Sequence, residues 1–387
     1  MWDVGELYAG REQTGAKHYI LEHYLQELVF KILRSQDVAY VDGFSGPWES
    51  KTDDLSDTSF MIAIRVLKDA QQSLFETTGI RKRVRCFFSE KIGESFLKLE
   101  RVVKPFHDPA ARFEIVVRHG EFTEFISEIE TFISGSFPLI FIDPTGWTGY
   151  PLEEIKSLFV GRKCEVLINF MYDYINRFSG NRDAESINSF APILGGFDWP
   201  SRLDPTLRDG VAVEKLFRET LKEKGSFEYV VSTRIDKPTK DRPHFFIVYG
   251  TKSIKGLIAF RQIEYRALRE HERSRSLAKS KKREENSGMV DLFTTHQAKL
   301  KEATFDELVE EQKQLASTLL ELFLVGRSKV KFKFVVAHVL QAYMLRETNV
   351  KDICVSLAEA GKLENTWGAR PRKPSDDDNI VLKAVAK

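Results

Sequence analysis

The residues in this chain best placed to do chemistry are carboxylates set where apolar runs end. Leu139, Ile140, Phe141 and Ile142 run into Asp143, Pro144, Thr145, Gly146 and Trp147: an acid, a rigid turn and an aromatic at the end of a buried strand. Val38 to Val41 runs into Asp42, Gly43, Phe44, Ser45 and Gly46. Val84 to Ser89 ends at Glu90, and Phe113 to Arg118 leads into His119, Gly120 and Glu121. A carboxylate at such a tip can accept hydrogen bonds from hydroxyls or amines, and a glycine turn lets a ligand approach the backbone closely. The sequence suggests no Ser/His/Asp or Cys/His arrangement, and none of its three cysteines adjoins a proline. Covalent catalysis is therefore not indicated. What these residues suit is holding a polar ligand in position.

The elements that must present them alternate. Strands end at 41, 89, 118, 142 and 170, and helices are expected over 59–73, 92–103, 122–133 and 152–158. This alternation predicts a parallel sheet with ligands at the carboxyl ends of its strands. The segments 227–236 and 243–251 read as an antiparallel edge to that sheet, and 181–202 as an insertion near the cleft. A helical stripe from Ala16 to Leu33 brings Lys17 and Tyr24 to a cover helix, where Lys17 either is solvated or reaches the cleft. Glu90 suits both hydroxyls of a ribose, or serves as a helix N-terminal acid. The Asp42–Gly46 turn is not GxGxxG, which makes a dinucleotide site a poor match.

Taken together, the tips follow the order in which Rossmann-like methyltransferases hold S-adenosylmethionine. Asp42, Gly43, Phe44, Ser45 and Gly46 would meet the methionine part, Glu90 the ribose, and Gly120 and Glu121 the adenine. Asp143, Pro144, Thr145, Gly146 and Trp147 would face the methyl acceptor, with Lys17 closing the donor pocket. The Asp143–Trp147 stretch resembles the D-P-P-[FYW] tip of amino-methyltransferases, in which the acid orients an exocyclic amine and the aromatic stacks on the base. Thr145 stands in place of the second proline.

GAKHYILEHYLQ, YVDGFSGPWES, LIFIDPTGWTGYPLEEIKSLF and VLINFMYDYINRF together resemble the three-Cys-motif partner protein (TcmP) family, over roughly residues 14–265. The resemblance implies a Rossmann-like class I methyltransferase sheet, mostly parallel with an antiparallel edge strand. It also implies an α+β winged helix-turn-helix domain at the C-terminus. Action on DNA or RNA is implied as well, alongside a partner protein with a three-cysteine, radical-SAM-like motif. Members carry D-P-F-G where this chain has Asp143, Pro144, Thr145 and Gly146.

With 387 residues and 42% apolar content the chain is long enough for two domains. The expected divisions are a methyltransferase domain over 1–260, a charged helical linker over 261–289 and a winged helix over 290–387. The formal net charge of +1 announces no polyanion, so any basic surface must be local. Arg261 to Glu285 carries nine Lys/Arg against five Asp/Glu, which reads as a solvated helix or as a phosphate contact. Arg370, Arg372 and Lys373 mark a basic turn expected to touch nucleic acid as a wing, although winged helices also dock proteins. No cysteine spacing suggests a disulfide framework or zinc site, no apolar run approaches the roughly 20 residues of a membrane helix, and MWDVGELYAG does not read as a signal peptide. A cytoplasmic location is the expectation.

Overall fold

The structure, a computed structural model, describes residues 7–47, 50–172, 184–287, 294–368 and 371–383. The chain divides into two compact units, Met1–Lys252 and Ser253–Lys387.

The first unit is an α/β sandwich around a seven-stranded sheet. Its strands are β1 (Asp37–Asp42), β2 (Val84–Glu90), β3 (Phe113–His119), β4 (Ser136–Ile142), β5 (Glu165–Phe170), β6 (Tyr229–Asp236) and β7 (Pro243–Thr251). Their spatial order is β3-β2-β1-β4-β5-β7-β6. The first five pair in parallel, while β7 runs antiparallel to both β5 and β6. The sheet is compatible with a Rossmann-like α/β fold. Because β7 lies between β5 and β6, it is the inner strand of the 227–251 pair that reverses direction and the edge strand that does not. The central strands β1, β4 and β5 are apolar on both faces because both faces are covered.

Helices α1 (Glu12–Ile32) and α2 (Ser59–Thr78) pack together. The Phe60 ring of α2 meets Phe88 of β2, which in turn meets Tyr40 of β1. The connections carry α3 (Gly93–Val103), α4 (Ile126–Phe132), α5 (Leu152–Ile155), α6 (Ala184–Leu194) and α7 (Asp209–Gly225). The 181–202 segment read as an insertion thus supplies α6, whose Phe190 joins Trp199, Phe217, Ile142 and Ile168 in one buried cluster. Val41 lies in that cluster, whereas Tyr40 faces Phe88 and α2; strand alternation sends Asp42 the same way as Tyr40.

The second unit begins with α8 (Ile254–Ser287), followed by α9 (Thr294–Leu324), β8 (Val330–Lys331), α10 (Phe332–Ala342), α11 (Glu347–Glu359) and β9 (Asn379–Ile380). The boundary therefore falls at 252/253, and residues 261–287 of the stretch expected as a linker belong to a packed helix in which Arg261, Glu264, His271 and Arg275 are buried, while 288 and 289 lie outside the described residues. Among the described residues β9 pairs antiparallel with β8, upstream of α10, and the tail also pairs with itself through an antiparallel bridge of Leu363 to Leu382, where Glu364 N–H donates to Val381 O and Lys383 N–H to Lys362 O.

Candidate functional site

Two adjoining clefts open at the carboxyl edge of the parallel strands. The first, of about 380 Å³, is bordered by Gly43, Phe44, Ser89, Glu90, Gly120, Glu121, Pro144, Thr145 and Gly146. The second, of about 350 Å³, is bordered by Arg11, Lys17, His18, Gly46, Asp57, Asp143, Asn169 and His244. Phe44, Pro144 and Thr145 border both. Both fall within the size range of small-molecule sites.

Glu90 closes β2 and is 3% exposed. Its Oε1 accepts the Ile92 N–H at 2.7 Å. Burial raises its carboxyl pKa, partly offset by backbone hydrogen bonds. A nearly buried carboxylate on a cleft wall is a strong acceptor for hydroxyl donors. The helix-acid alternative is partly met as well, since the Ile92 bond ties Glu90 to the approach to α3.

Asp42 and Ser45, read as ligand contacts, border neither cleft and are fully buried. Asp42 accepts Phe44 N–H at 3.0 Å and Ser59 Oγ–H at 2.9 Å, beneath the first residue of α2. Ser45 donates its hydroxyl to Asp42 O and its N–H to Ser89 O, both at 2.9 Å. These residues build the turn rather than line the site. Burial raises the Asp42 carboxyl to about 7, against the pull of the Phe44 and Ser59 hydrogen bonds.

Packing within the chain constrains Gly43 and Gly120, whereas a Cβ on Gly146 would meet nothing within 4 Å. A Cβ on Gly43 would lie 2.6 Å from the Phe122 ring, and one on Gly120, at φ +151°, 2.3 Å from the Glu124 carboxylate. Glu121 is exposed and caps the short 3-10 helix Phe122–Phe125 in a reciprocal box with Glu124. His119 stacks on Phe96 at 5.0 Å.

Asp143 sits at the second cleft with both oxygens engaged. Lys17 Nζ reaches Oδ2 from α1 at 2.5 Å, and Asn169 Nδ2 donates to Oδ1 at 2.6 Å. The Lys17 and Asp143 side chains are 13% and 14% exposed. Trp147, expected to face the acceptor, borders neither cleft. Its ring lies 5.6 Å from Phe190, and Nε1–H donates to Ser189 Oγ at 2.5 Å. Helix α6 holds the half-buried ring against the edge of the core, and of the tip residues Pro144 is buried, Gly146 half-buried and Thr145 exposed.

The sequence reading missed Asn169, Arg11 and Asp57. Asn169 is a polar residue near the end of an otherwise apolar strand, the same signal that singles out Asp143. Ile142 pairs with Ile168, so the two residues are neighbours. Its Oδ1 is a buried acceptor without a hydrogen-bond partner. The donation to Asp143 fixes which way the amide points, because its oxygen could not face a carboxylate. Burial opposes the charge of Asp57, but hydrogen bonds from Ser50, Lys51 N–H and Arg11 outweigh this and hold its carboxyl below the ordinary value. His18, buried and held by Tyr8 OH at 3.0 Å, is kept neutral by burial and by the neighbouring Lys17 charge. Tyr24 lies away from the clefts, in a buried network with Glu165, Tyr249 and Thr251.

In the second unit, Arg370 lies outside the described residues. Lys373 Nζ pairs with Asp352 of α11 at 2.5 Å, and Asp376, Asp377 and Asp378 follow closely in sequence. Among the described residues no cluster of His, Cys, Asp and Glu could hold a metal ion, and no helix is long and apolar enough to cross a membrane.

Comparison with protein-family models gives no match, nor does comparison with curated proteins.

Proposed function

We propose that this chain is an S-adenosylmethionine-dependent methyltransferase acting on nucleic acid, with an exocyclic base amine as acceptor. The observation that carries the reading is the junction of the two clefts at Phe44, Pro144 and Thr145, with buried Glu90 on one side and Asp143 on the other. The donor, when bound, supplies a methyl group on an already electrophilic sulfonium. The chain's part is therefore positioning more than acid–base chemistry. The Glu90 carboxylate fits a pair of vicinal hydroxyls, with Gly120 and Glu121 bordering the same cleft. Asp143, fixed by Lys17 and Asn169, keeps lone pairs free on each oxygen to accept an amine.

The helix and strand order of the second unit fits a winged helix-turn-helix that holds substrate or partner. On this reading, as the resemblance to the TcmP family implies, the partner is a protein with a three-cysteine, radical-SAM-like motif.

A second reading is a catalytically inactive relative that binds nucleic acid or docks a protein. The engagement of both Asp143 oxygens, with Trp147 packed on Phe190 and bonded to Ser189, favours it.

Calorimetric titration with S-adenosylmethionine and S-adenosylhomocysteine tests the first reading. The expected result is binding that Glu90→Ala weakens about tenfold or more, for the loss of charge-assisted hydrogen bonds. Absence of heat with both ligands overturns it. Mass spectrometry of nucleosides from cells then separates the two readings, since a methyl mark lost with Asp143→Ala sinks the inactive one.

A further inference from the structure

We infer that the exposed face of α8 is a contact for a nucleic-acid backbone. The inference rests on the nucleic-acid part of the proposed function and moves the phosphate contact away from the wing. Arg266, Arg269, Arg273 and Lys281 are all exposed and are spaced three, four and eight residues apart, which sets them along one side of the helix with Leu277 among them. The row extends about 22 Å along the axis. The opposite face, with Arg261, Glu264, His271, Ser274 and Arg275, is buried.

The charge on this helix is concentrated. From Arg266 to Glu284 there are eight Lys/Arg against three Glu, while residues 305–383 carry twelve of each sign. Neutralisation within the row is weak. Arg269 meets Asp306 at 3.5 Å and Arg273 meets Glu270 at 4.0 Å, with the arginine side chains 48% and 56% exposed. Pairs of that length and exposure are worth little against a polyanion.

The row fits nucleic acid better than an anionic membrane surface. A helix lying on a membrane needs a broad apolar face beside its cations, whereas here Leu277 is the one apolar residue in the exposed row. Three of the four cations are arginines, whose planar fork pairs phosphates bidentately. A duplex presents about a dozen phosphates over the same length, a linear array matched by a linear row.

Fluorescence anisotropy of the full chain with labelled 30-base-pair DNA and RNA duplexes, over a range of salt, tests this. The variant replaces Arg266, Arg269, Arg273 and Lys281 with Gln, which favours helix. A control replaces Lys31, Lys98, Lys163 and Lys222 with Gln and so removes equal charge elsewhere. The expected result for the α8 variant is a slope of log K on log salt reduced by about 0.9 per lost contact, with affinity down about tenfold or more. The control keeps the wild-type slope. Equal slopes for wild type and the α8 variant overturn the inference, as does an equal loss in the control. So does a wild type that binds neither duplex but binds phosphatidylserine vesicles. S-adenosylmethionine calorimetry on the same samples separates the two claims. Heat lost in the wild type with α8-dependent duplex binding kept sinks methyl transfer alone, and the reverse sinks the α8 contact alone.

Discussion

Asp42 is a buried carboxylate that the fold holds at a cost, and Asp42→Asn should therefore stabilise the protein above neutral pH. Its pKa in the folded chain is about 7, against 3.8 as the ordinary value, chiefly through burial. At 1.36 kcal/mol per pH unit the difference amounts to roughly 4 kcal/mol once the group is ionised in both states. A carboxyl with a raised folded pKa holds its proton in the native state while the unfolded chain has already released it. The native state thus binds more protons between about pH 4 and about pH 7, and stability falls as pH rises through that window. Asparagine keeps an acceptor for Phe44 N–H, and Ser59 Oγ can turn to accept from the amide. The stability gained by the variant should therefore grow by about 2.5 kcal/mol between about pH 5 and about pH 8. Equilibrium urea unfolding of both proteins across this range measures it, with midpoint shifts read as stability only where the m-values agree. A difference that stays constant with pH, or shrinks as pH rises, refutes the reasoning.

Other outcomes follow from the same geometry. Gly43→Ala should destabilise by about 1–3 kcal/mol through the clash with Phe122, and the added change Phe122→Leu should recover much of that in urea unfolding. Lys17→Met leaves the nearly buried Asp143 with Asn169 alone and should cost about 2–3 kcal/mol by the same measurement. Burial raises the thiols of Cys164 and Cys354 to about 12 and that of Cys86 higher still, so none should be alkylated by iodoacetamide near pH 8 until urea unfolds the chain. Labelling of the native protein detected by intact mass would contradict this.

Much of the sheet was legible because its signal is local. Apolar runs such as 139–142 and 165–170 are the sequence of strands covered on both faces, and helices between them leave a parallel sheet as the arrangement. The tip of each strand was legible too, since a carboxylate ending an apolar run is visible in one dimension. Direction at the far edge was harder to read. A signal is nevertheless present, since Phe245 to Tyr249 is an unbroken apolar run that suits the inner strand, whereas Ser232, Arg234 and Asp236 interrupt β6 as suits an edge.

Side-chain facing separates the residues that line the clefts from those that only neighbour them in sequence. Glu90 and Asp143 end their strands on the open edge, and they line the clefts. Asp42 also ends a strand, but pleating sends it beneath α2, where Ser59 takes it as a structural partner. Trp147 is four residues from Asp143, yet it packs half-buried against Phe190 of α6 and bonds to Ser189. The pairing of Lys17 with Asp143 joins residues 126 positions apart, and that of Lys373 with Asp352 joins residues 21 apart. The sequence by itself determined where polar groups end the buried strands. Only the tertiary structure decided which of those groups meet solvent, because that depends on which distant helix covers each tip.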